Sequence, residues 1–560
     1  MDRLKRIRVP GFDVKVHPHE LEVIHTRQFQ RLFHLKQLGL AYQIYPAATH
    51  NRAAHSIETL FHATRILDAL RESDSREHVS DDDVFNVRMA ALLHDISHAP
   101  FGHTLEDEHP ILKRHDRPER VRMALDRLKQ DIKTPQTVAR IEAAAPILET
   151  LGDKNAPQNW RSDLVGNTIC ADLLAYIASD AAWTGIEKRS GHYRIYDYFT
   201  IREKLDDKGQ PSQRLCIYLT KNGVLRTDIV SAVLDVLDLR YAITERITFH
   251  HAKCVASAML ARAARLAGLT ESAETLPELL SRGDEGFFTY LEELAQRRSE
   301  KERAGAFRVL EQLQSRRFFK RIFKINCETM EALSAGRGAS SFSAEWRNQN
   351  RVETLLCSIE DQYELPRGSF ALWCTDAKAG MKAASVNVVW SCADGDMGPM
   401  ELREVSDSNL KNIHQRVKTI EDQYSALWCF WVLLDRDHLR LAADVVHALG
   451  MEIAPCDPVF EKTYLNLIPG YAERAEQVKV VYSTLTRRVL PSTMQSIAGS
   501  PAFTGEDAKV SEEAVLGAVK TVVDQAVSGP GREKRSSRKK RTSDQPLFID
   551  EETTADTHKK

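Results

Sequence analysis

Cysteine forms no pattern in this chain. Nine thiols are scattered from Cys170 to Cys456, an odd number without a CxxC pair, so neither a disulfide framework nor a zinc knuckle organises the fold. Reduced core thiols are expected, and with them a cytoplasmic setting. Long apolar runs are missing too. The longest, Ser425 to Leu434 (SALWCFWVLL), is closed by Asp435 and falls well short of the roughly 20 residues of a membrane span, so no membrane association is expected. Neither sign of charge dominates: 77 basic against 79 acidic side chains leave −2, and whole-chain charge points to no polyanionic partner. The N-terminal MDRLKRIRVPGFDVKVHP lacks an apolar run and a small-residue cleavage site, so it does not read as a secretory signal. Nor is there an internal repeat or a phosphate-binding glycine loop of the G-x-x-x-x-G-K-S/T type.

What is present is ample length and a strong helical period. At roughly 150 residues per domain, 560 residues give three to four folding units. Residues 1–265 return apolar side chains to one face at helical spacing, as Ile57, Leu60, Phe61, Ile66 and Leu67 do in Ser56 to Leu70. Asp81 to Asp83 offer an N-cap for a helix running through Val87 to His94, which must break near Pro100. His94 and Asp95 then fall at a helix C-terminal end. Cys216 to Thr220 and Asn222 to Leu225 read as a hairpin turning at Lys221 to Gly223. Residues 266–500 form an expected α+β region of unknown role, open to oligomerisation, with charged helical patterns in Ala295 to Arg317, strands in Ser385 to Trp390 and Leu427 to Leu434, and a helix over Asn409 to Asp422. The fold class is therefore mainly α, with a C-terminal α+β region and a weakly structured to disordered tail over 501–560. A further amphipathic helix is open over Val510 to Val527. Seven of the ten residues of Arg532 to Arg541 are basic and an acidic stretch follows, which suits a solvated tail, with a weak nucleic-acid contact as the alternative.

Chemistry-bearing side chains crowd one region: His50, His55 and His62, then His94, Asp95, His98 and His103, then His109 and His115. Neutral imidazoles and carboxylates in a fixed shell are what a divalent ion engaged in phosphate hydrolysis requires. His94 and Asp95 supply two such ligands, and His55 and Asp172 are candidates for the rest. In ADLLAYIASD, Asp172, Tyr176 and Asp180 recur every fourth residue, which puts two acids and a phenol on one helical stripe. A lone histidine such as His62 is more often a satisfied core or surface group, and a lone HD dipeptide arises by chance. The separated set His55, His94-Asp95 and Asp172 is more specific.

These residues resemble the HD-domain phosphohydrolases, and within them the deoxynucleoside triphosphate triphosphohydrolases, a group that includes dGTPases and the SAM-and-HD-domain enzyme. The resemblance runs over Gln28 to Gly39 (QFQRLFHLKQLG), Tyr45 to Ser56 (YPAATHNRAAHS), Ala91 to His103 (ALLHDISHAPFGH) and Asp172 to Ile186 (DLLAYIASDAAWTGI), and covers about residues 10–260. The HDxxHxPFxH extension, His94 to His103, sets this branch apart. It implies an HD-type domain over 1–265 and metal ligation by His55, His94, Asp95 and Asp172, with Mn, Fe, Zn, Ni or Mg as the ion. Gln37 and Leu38 would lie against the deoxyribose and base, Arg52 would pair with a phosphate, and His98 would contact the α-phosphate. His103, Glu106 and His115 would handle the proton of the attacking water or the leaving 5′-oxygen. Tyr176 and Asp180 would line the sugar, leaving little room at C2′. Arg240, Arg246 and Lys253 would be available to the triphosphate, and Phe249 and His250 would lie near base and sugar where the family has tyrosine and glutamine, so base preference does not carry over. His25 and Phe33 stand where the SAM-and-HD-domain enzyme uses an acid and an arginine to hold an activating guanine nucleotide, and no sterile-alpha-motif-like domain is expected ahead of the catalytic region.

The function implied is hydrolysis of deoxynucleoside triphosphates to deoxynucleoside and tripolyphosphate by water attack at the α-phosphorus, in a homo-oligomer. Two alternatives stand beside it: a metal-dependent nuclease or phosphodiesterase acting on single-stranded nucleic acid, and a non-catalytic nucleotide sensor.

Overall fold

The computed structural model describes residues 4–449, apart from 154, 188–191, 206–208, 222–223, 327–338, 377–385, 393–394, 406–410, 443–444 and 447. The expected tail over 501–560, its basic cluster at 532–541, the open helix at 510–527 and the end of the α+β region lie outside the described residues. The described part is mainly helical with a few small sheets.

An N-terminal hairpin, Lys5–Val9 with Phe12–Val16, leads into the helix Pro18–Ile24. The central helix, Arg52–Glu72, begins at Asn51, whose side chain accepts the Ala54 amide at 3.0 Å. Its Leu60, Ala63, Ile66 and Leu70 are fully buried because the helices Asp81–Leu93 and Ala171–Thr184 both pack against it. The helix Asp81–Leu93 is capped by Ser80 rather than by the acids that follow. Ser80 has extended backbone, its hydroxyl accepts the Asp83 amide at 3.1 Å, and the Asp83 carboxylate takes the Ser80 amide in return. That helix ends at Leu93, with His94 as its C-cap. Ala171–Thr184 starts at Cys170, whose sulfur accepts the Leu173 amide, and stops at Gly185, where φ is +72°.

Past residue 199 the pairing differs from the expected local hairpin. Cys216 to Tyr218 belong to the strand Pro211–Tyr218, which runs antiparallel to Phe199–Leu205 and parallel to Asn387–Cys392. Only Thr220–Lys221 and Val224–Leu225 pair with each other. Leu215 and Ile217 are buried in the core, and a local turn would leave them uncovered. The strand Asn387–Cys392 continues to Gly395–Glu401, and the helix Lys411–Ala426 packs on Thr227–Ile243. A stretch assigned to a separate region by sequence thus completes the sheet of the first. The helix His251–Leu266, across which the boundary at 265 was placed, packs on Glu300–Gln314 and on the strand Phe370–Cys374. A second sheet orders Lys320–Asn326, Cys429–Leu434 and Phe370–Cys374. Its middle strand is buried on both faces, which is why CFWVLL reads as continuous apolar sequence rather than alternation.

Among the described residues no helix is long and apolar enough to cross a membrane. Cys170, Cys216, Cys254, Cys374 and Cys429 are buried free thiols.

One buried ion pair ties the N-terminal segment to the core. Arg88 donates from Nε and Nη2 to Glu20 at 2.8 and 2.7 Å and from Nη2 to the Lys15 carbonyl at 2.9 Å, and both side chains are almost fully enclosed. Removing one partner strands the other charge. Arg88→Ala is expected to lower unfolding free energy by about 3–5 kcal/mol, measured by urea denaturation, far more than loss of the exposed Arg8–Asp13 pair.

Candidate active site

Three distant stretches meet at the metal-ligand set. His55 comes from the first turn of Arg52–Glu72, His94 and Asp95 from the end of Asp81–Leu93, and Asp172 from the first turn of Ala171–Thr184. His55 Nε2 lies 3.2 Å from His94 Nε2, 3.0 Å from Asp172 Oδ1 and 3.8 Å from Asp95 Oδ2. His94 Nε2 lies 3.4 Å from Asp95 Oδ1 and 3.6 Å from Asp172 Oδ1. Ligands at about 2.0–2.2 Å from one ion stand about 3 Å apart when adjacent in its shell; His55, His94 and Asp95 are close enough together to hold one divalent cation, and Asp172 stands beside both imidazoles. The Ala91 carbonyl accepts a hydrogen bond from His94 Nδ1 at 2.9 Å, which leaves Nε2 as the lone-pair donor. Two imidazoles and two carboxylates suit Fe, Mn, Ni or Zn.

The electrostatics agree. Burial disfavours a charged His94, yet the Asp95 and Asp172 carboxylates outweigh it and lift its pKa to about 9. Burial works against an ionised Asp95, but His94, Arg52 and His98 hold it well below the usual carboxylate range; Asp172 is likewise depressed, by its contacts with His55 and His94. The cluster keeps its negative charge and attracts a positive one, proton or metal.

This cage opens into a cavity of ≈ 350 Å³. Of the substrate-binding residues expected from sequence, Gln37, Leu38, Arg52, Tyr176, Asp180 and Arg240 line it. Main-chain hydrogen bonds place the first three: the Gln37 amide donates to the His50 carbonyl and the Arg52 amide to the Leu35 carbonyl, both at 2.9 Å. Arg52 Nη1 donates to Asp95 Oδ2 at 2.6 Å, which orients a metal ligand and aims a guanidinium at the cavity.

His103 and His115 also line the cavity, whereas His98 and Glu106 do not. His98 was expected on the α-phosphate. It is fully enclosed, stacked on His115 with ring centroids 3.5 Å apart, and its Nε2 is 3.3 Å from Asp95 Oδ1. Burial together with Arg52 and His115 holds its pKa well below that of free imidazole. Glu106 Oε2 accepts from His115 Nδ1 at 2.9 Å and Glu106 Oε1 sits 3.0 Å from Arg120 Nη2, so Glu106 orients His115. His103 Nδ1 is 2.9 Å from Asp107 Oδ2; burial opposes its protonation, but Asp107 outweighs burial and raises the pKa. The segment is tightly wound: Phe101 holds φ at +52°, a π-helical turn spans Thr104–Glu108, and a Cβ on Gly102 would meet His98 Nδ1 at 2.4 Å.

Three further residues expected at the substrate do not border the main cavity. Lys253 is paired with Glu108, Phe249 packs against Trp373, and His250 caps the His251–Leu266 helix by accepting the Ala252 amide. Lys253 instead lines a smaller cavity beside it that shares Gln37, Leu38, Arg52 and His103, whereas Phe249 and His250 border neither.

Sequence reasoning missed two supports. His50 was seen in the cluster but given no role; its Nε2 donates to Asp180 Oδ1 at 2.8 Å and its ring stacks on Trp183. Asp284, from beyond residue 265, accepts the Lys36 amide at 2.8 Å and the Phe101 amide at 3.1 Å, bracing both loops that flank the cavity. The short spacing of His50 from Asn51 and Arg52 was a signal for the first. A single aspartate 183 residues beyond Phe101 and 248 beyond Lys36 gave none for the second.

Residues 52–156 match the model of the family described as HD domain. The chain is 40% identical over 107 residues to the deoxynucleoside triphosphate triphosphohydrolase SAMHD1 of Homo sapiens, covering 19% of this chain and 17% of that protein. It is 32% identical over 177 residues to an uncharacterized protein of Methanocaldococcus jannaschii, covering 31% of this chain and 32% of that one. The chain thus spans about a third or less of the length of these curated relatives. The crystal structure of a phosphohydrolase from Bacteroides thetaiotaomicron has the same fold, with a TM-score of 0.54 at 18% identity over 77% of this chain and 100% of that one.

Asp95→Asn removes a charge from the cage while preserving its shape. Purified variant protein is expected to carry at least about tenfold less metal than wild type by elemental analysis while melting within a few degrees of it; full metal occupancy would contradict the ligand assignment.

Proposed function

We propose, this chain being a member of the HD-domain phosphohydrolase family, that it hydrolyses deoxynucleoside triphosphates to deoxynucleoside and tripolyphosphate. The observation that carries the reading is the convergence of His55, His94, Asp95 and Asp172 on one edge of a cavity whose other walls hold Arg52, Tyr176, Asp180 and Arg240. A divalent ion in that cage would withdraw charge from phosphorus and make a nearby water more acidic.

The rest of the reaction falls to the protein's own side chains. Arg52 and Arg240 offer planar, permanently charged donors to phosphate oxygens. Asp180, held by His50, accepts from a sugar hydroxyl, and the Tyr176 ring limits space at C2′, which favours deoxyribose. Water attacks the α-phosphorus and the 5′-oxygen departs. His103 is the best proton donor for that oxygen, since it lines the cavity and Asp107 keeps it protonated to a higher pH than a free imidazole. His115, anchored by Glu106, is placed to orient the water.

Incubation with each of the four deoxynucleoside triphosphates in Mn, and separately with single-stranded DNA and RNA, tests the reading. Release of tripolyphosphate is expected; shortened oligonucleotides without tripolyphosphate would replace this reading with the nuclease one. The proton donor has its own signature. Loss of the His103 proton on raising pH sets the alkaline limb of kcat, and Asp107→Asn, which removes the charge raising that pKa, is expected to move the limb about one pH unit lower.

A further inference from the structure

A second cavity of ≈ 120 Å³ shares Gln37, Leu38, Arg52, His103 and Thr248 with the first. Leu38, Ala41, Phe101 and Ile247 give it apolar walls, and Lys253 and Glu108 form a buried ion pair at its side. Its cations bring little unbalanced charge. Arg52 is bonded to Asp95, Lys253 to Glu108, and Lys36 Nζ lies 4.0 Å from Asp284. A polyphosphate would gain little there. The unmet polar groups are acceptors: Gln37 Oε1 and Glu108 Oε2 are both buried without a hydrogen-bond partner. A phosphate has no proton to give them, whereas a flat heterocycle with N–H groups has.

We propose that this second cavity holds the base of the substrate and that Glu108 and Lys253 select guanine. The inference rests on the triphosphohydrolase reading above. Guanine presents two adjacent donors, N1–H and the N2 amino group, beside one acceptor, O6. A carboxylate beside an ammonium is the complement of that edge, with Glu108 accepting from N1 and N2 and Lys253 donating to O6. Adenine turns a bare N1 toward the carboxylate, cytosine a bare N3, and thymine flanks its one N–H with two carbonyls. Each would leave a buried charged group unpaired or facing a lone pair, which is the costly kind of mismatch. The apolar walls add stacking area without choosing among bases.

The test compares kcat/KM for dGTP, dATP, dCTP, dTTP and dITP on the full chain, together with calorimetric binding of deoxyguanosine and deoxyadenosine. A preference for dGTP over the other three natural substrates of about a hundredfold is expected. dITP, which lacks only the N2 amino group, should fall about tenfold below dGTP. Glu108→Gln should erase the gap between dGTP and dITP. Should that variant fail to fold with Lys253 unpaired, Lys253→Gln serves instead and should cut dGTP turnover more than dATP turnover. Equal use of the four natural substrates would overturn the base assignment and leave the triphosphohydrolase reading standing. A rise for all of them alike in Glu108→Gln would overturn it too, since that is the response of a phosphate subsite freed of a negative charge. No hydrolysis of any triphosphate together with no deoxyguanosine binding would remove both.

Discussion

Two imidazoles that stand 3.2 Å from each other and 3.0–3.8 Å from the carboxylates of Asp95 and Asp172 are a liability inside a protein until something positive joins them. Two carboxylates and two imidazoles, most of them enclosed, cannot be solvated, and their repulsion in a low-dielectric setting would push the three segments apart. The fold resists this by fixing each segment from behind. Arg52 bonds Asp95, the Ala91 carbonyl holds His94, and Asp172 sits where Cys170 caps its helix. The cage is thus a point at which folding energy maintains a charge arrangement that only a cation or a proton completes.

A second layer of pairs repeats this logic outward. Glu106 bridges His115 and Arg120, Asp107 bridges His103 and Arg114, and His50 bridges Asp180 to Trp183. In each, a charged or polar partner away from the cavity sets the orientation of the group facing it, and for His103 it also raises the pKa. Although the two rings are close, burial together with Arg52 lowers the pKa of His98, while Asp107 outweighs burial and raises that of His103.

Much of this was legible from residues alone, for physical reasons. His55, His94, Asp95 and Asp172 could be read because their helices are strongly periodic, and the i, i+4, i+8 placement of Asp172, Tyr176 and Asp180 brings all three to one wall. The helix C-terminus at His94 followed from Pro100 a few residues on. The cap at Ser80 was misread because three aspartates follow it, and choosing among neighbouring acceptors depends on backbone angles that composition does not encode. Phe249, His250 and Lys253 follow one another at a helix start, and that shared start does not fix which side chain meets which cavity. Strand pairing was least readable. Cys216 pairs with Thr200 and Ile217 with Phe199 in a nearby strand, but Ile217 also pairs with Val388, a partner about 170 residues away that local sequence does not announce.

Asp284 gives this long-range wiring a meaning for how such proteins can diverge. The recognisable segment ends at residue 156, yet the loops that border its pocket are pinned by an acid more than a hundred positions further along. A block cut at residue 156 would carry His55, His94 and Asp95 but neither Asp172 nor the acid that braces their loops. The pocket therefore draws on the downstream residues twice, for the carboxylate of Asp172 that closes the cage and for the fixed loop positions that Asp284 supplies.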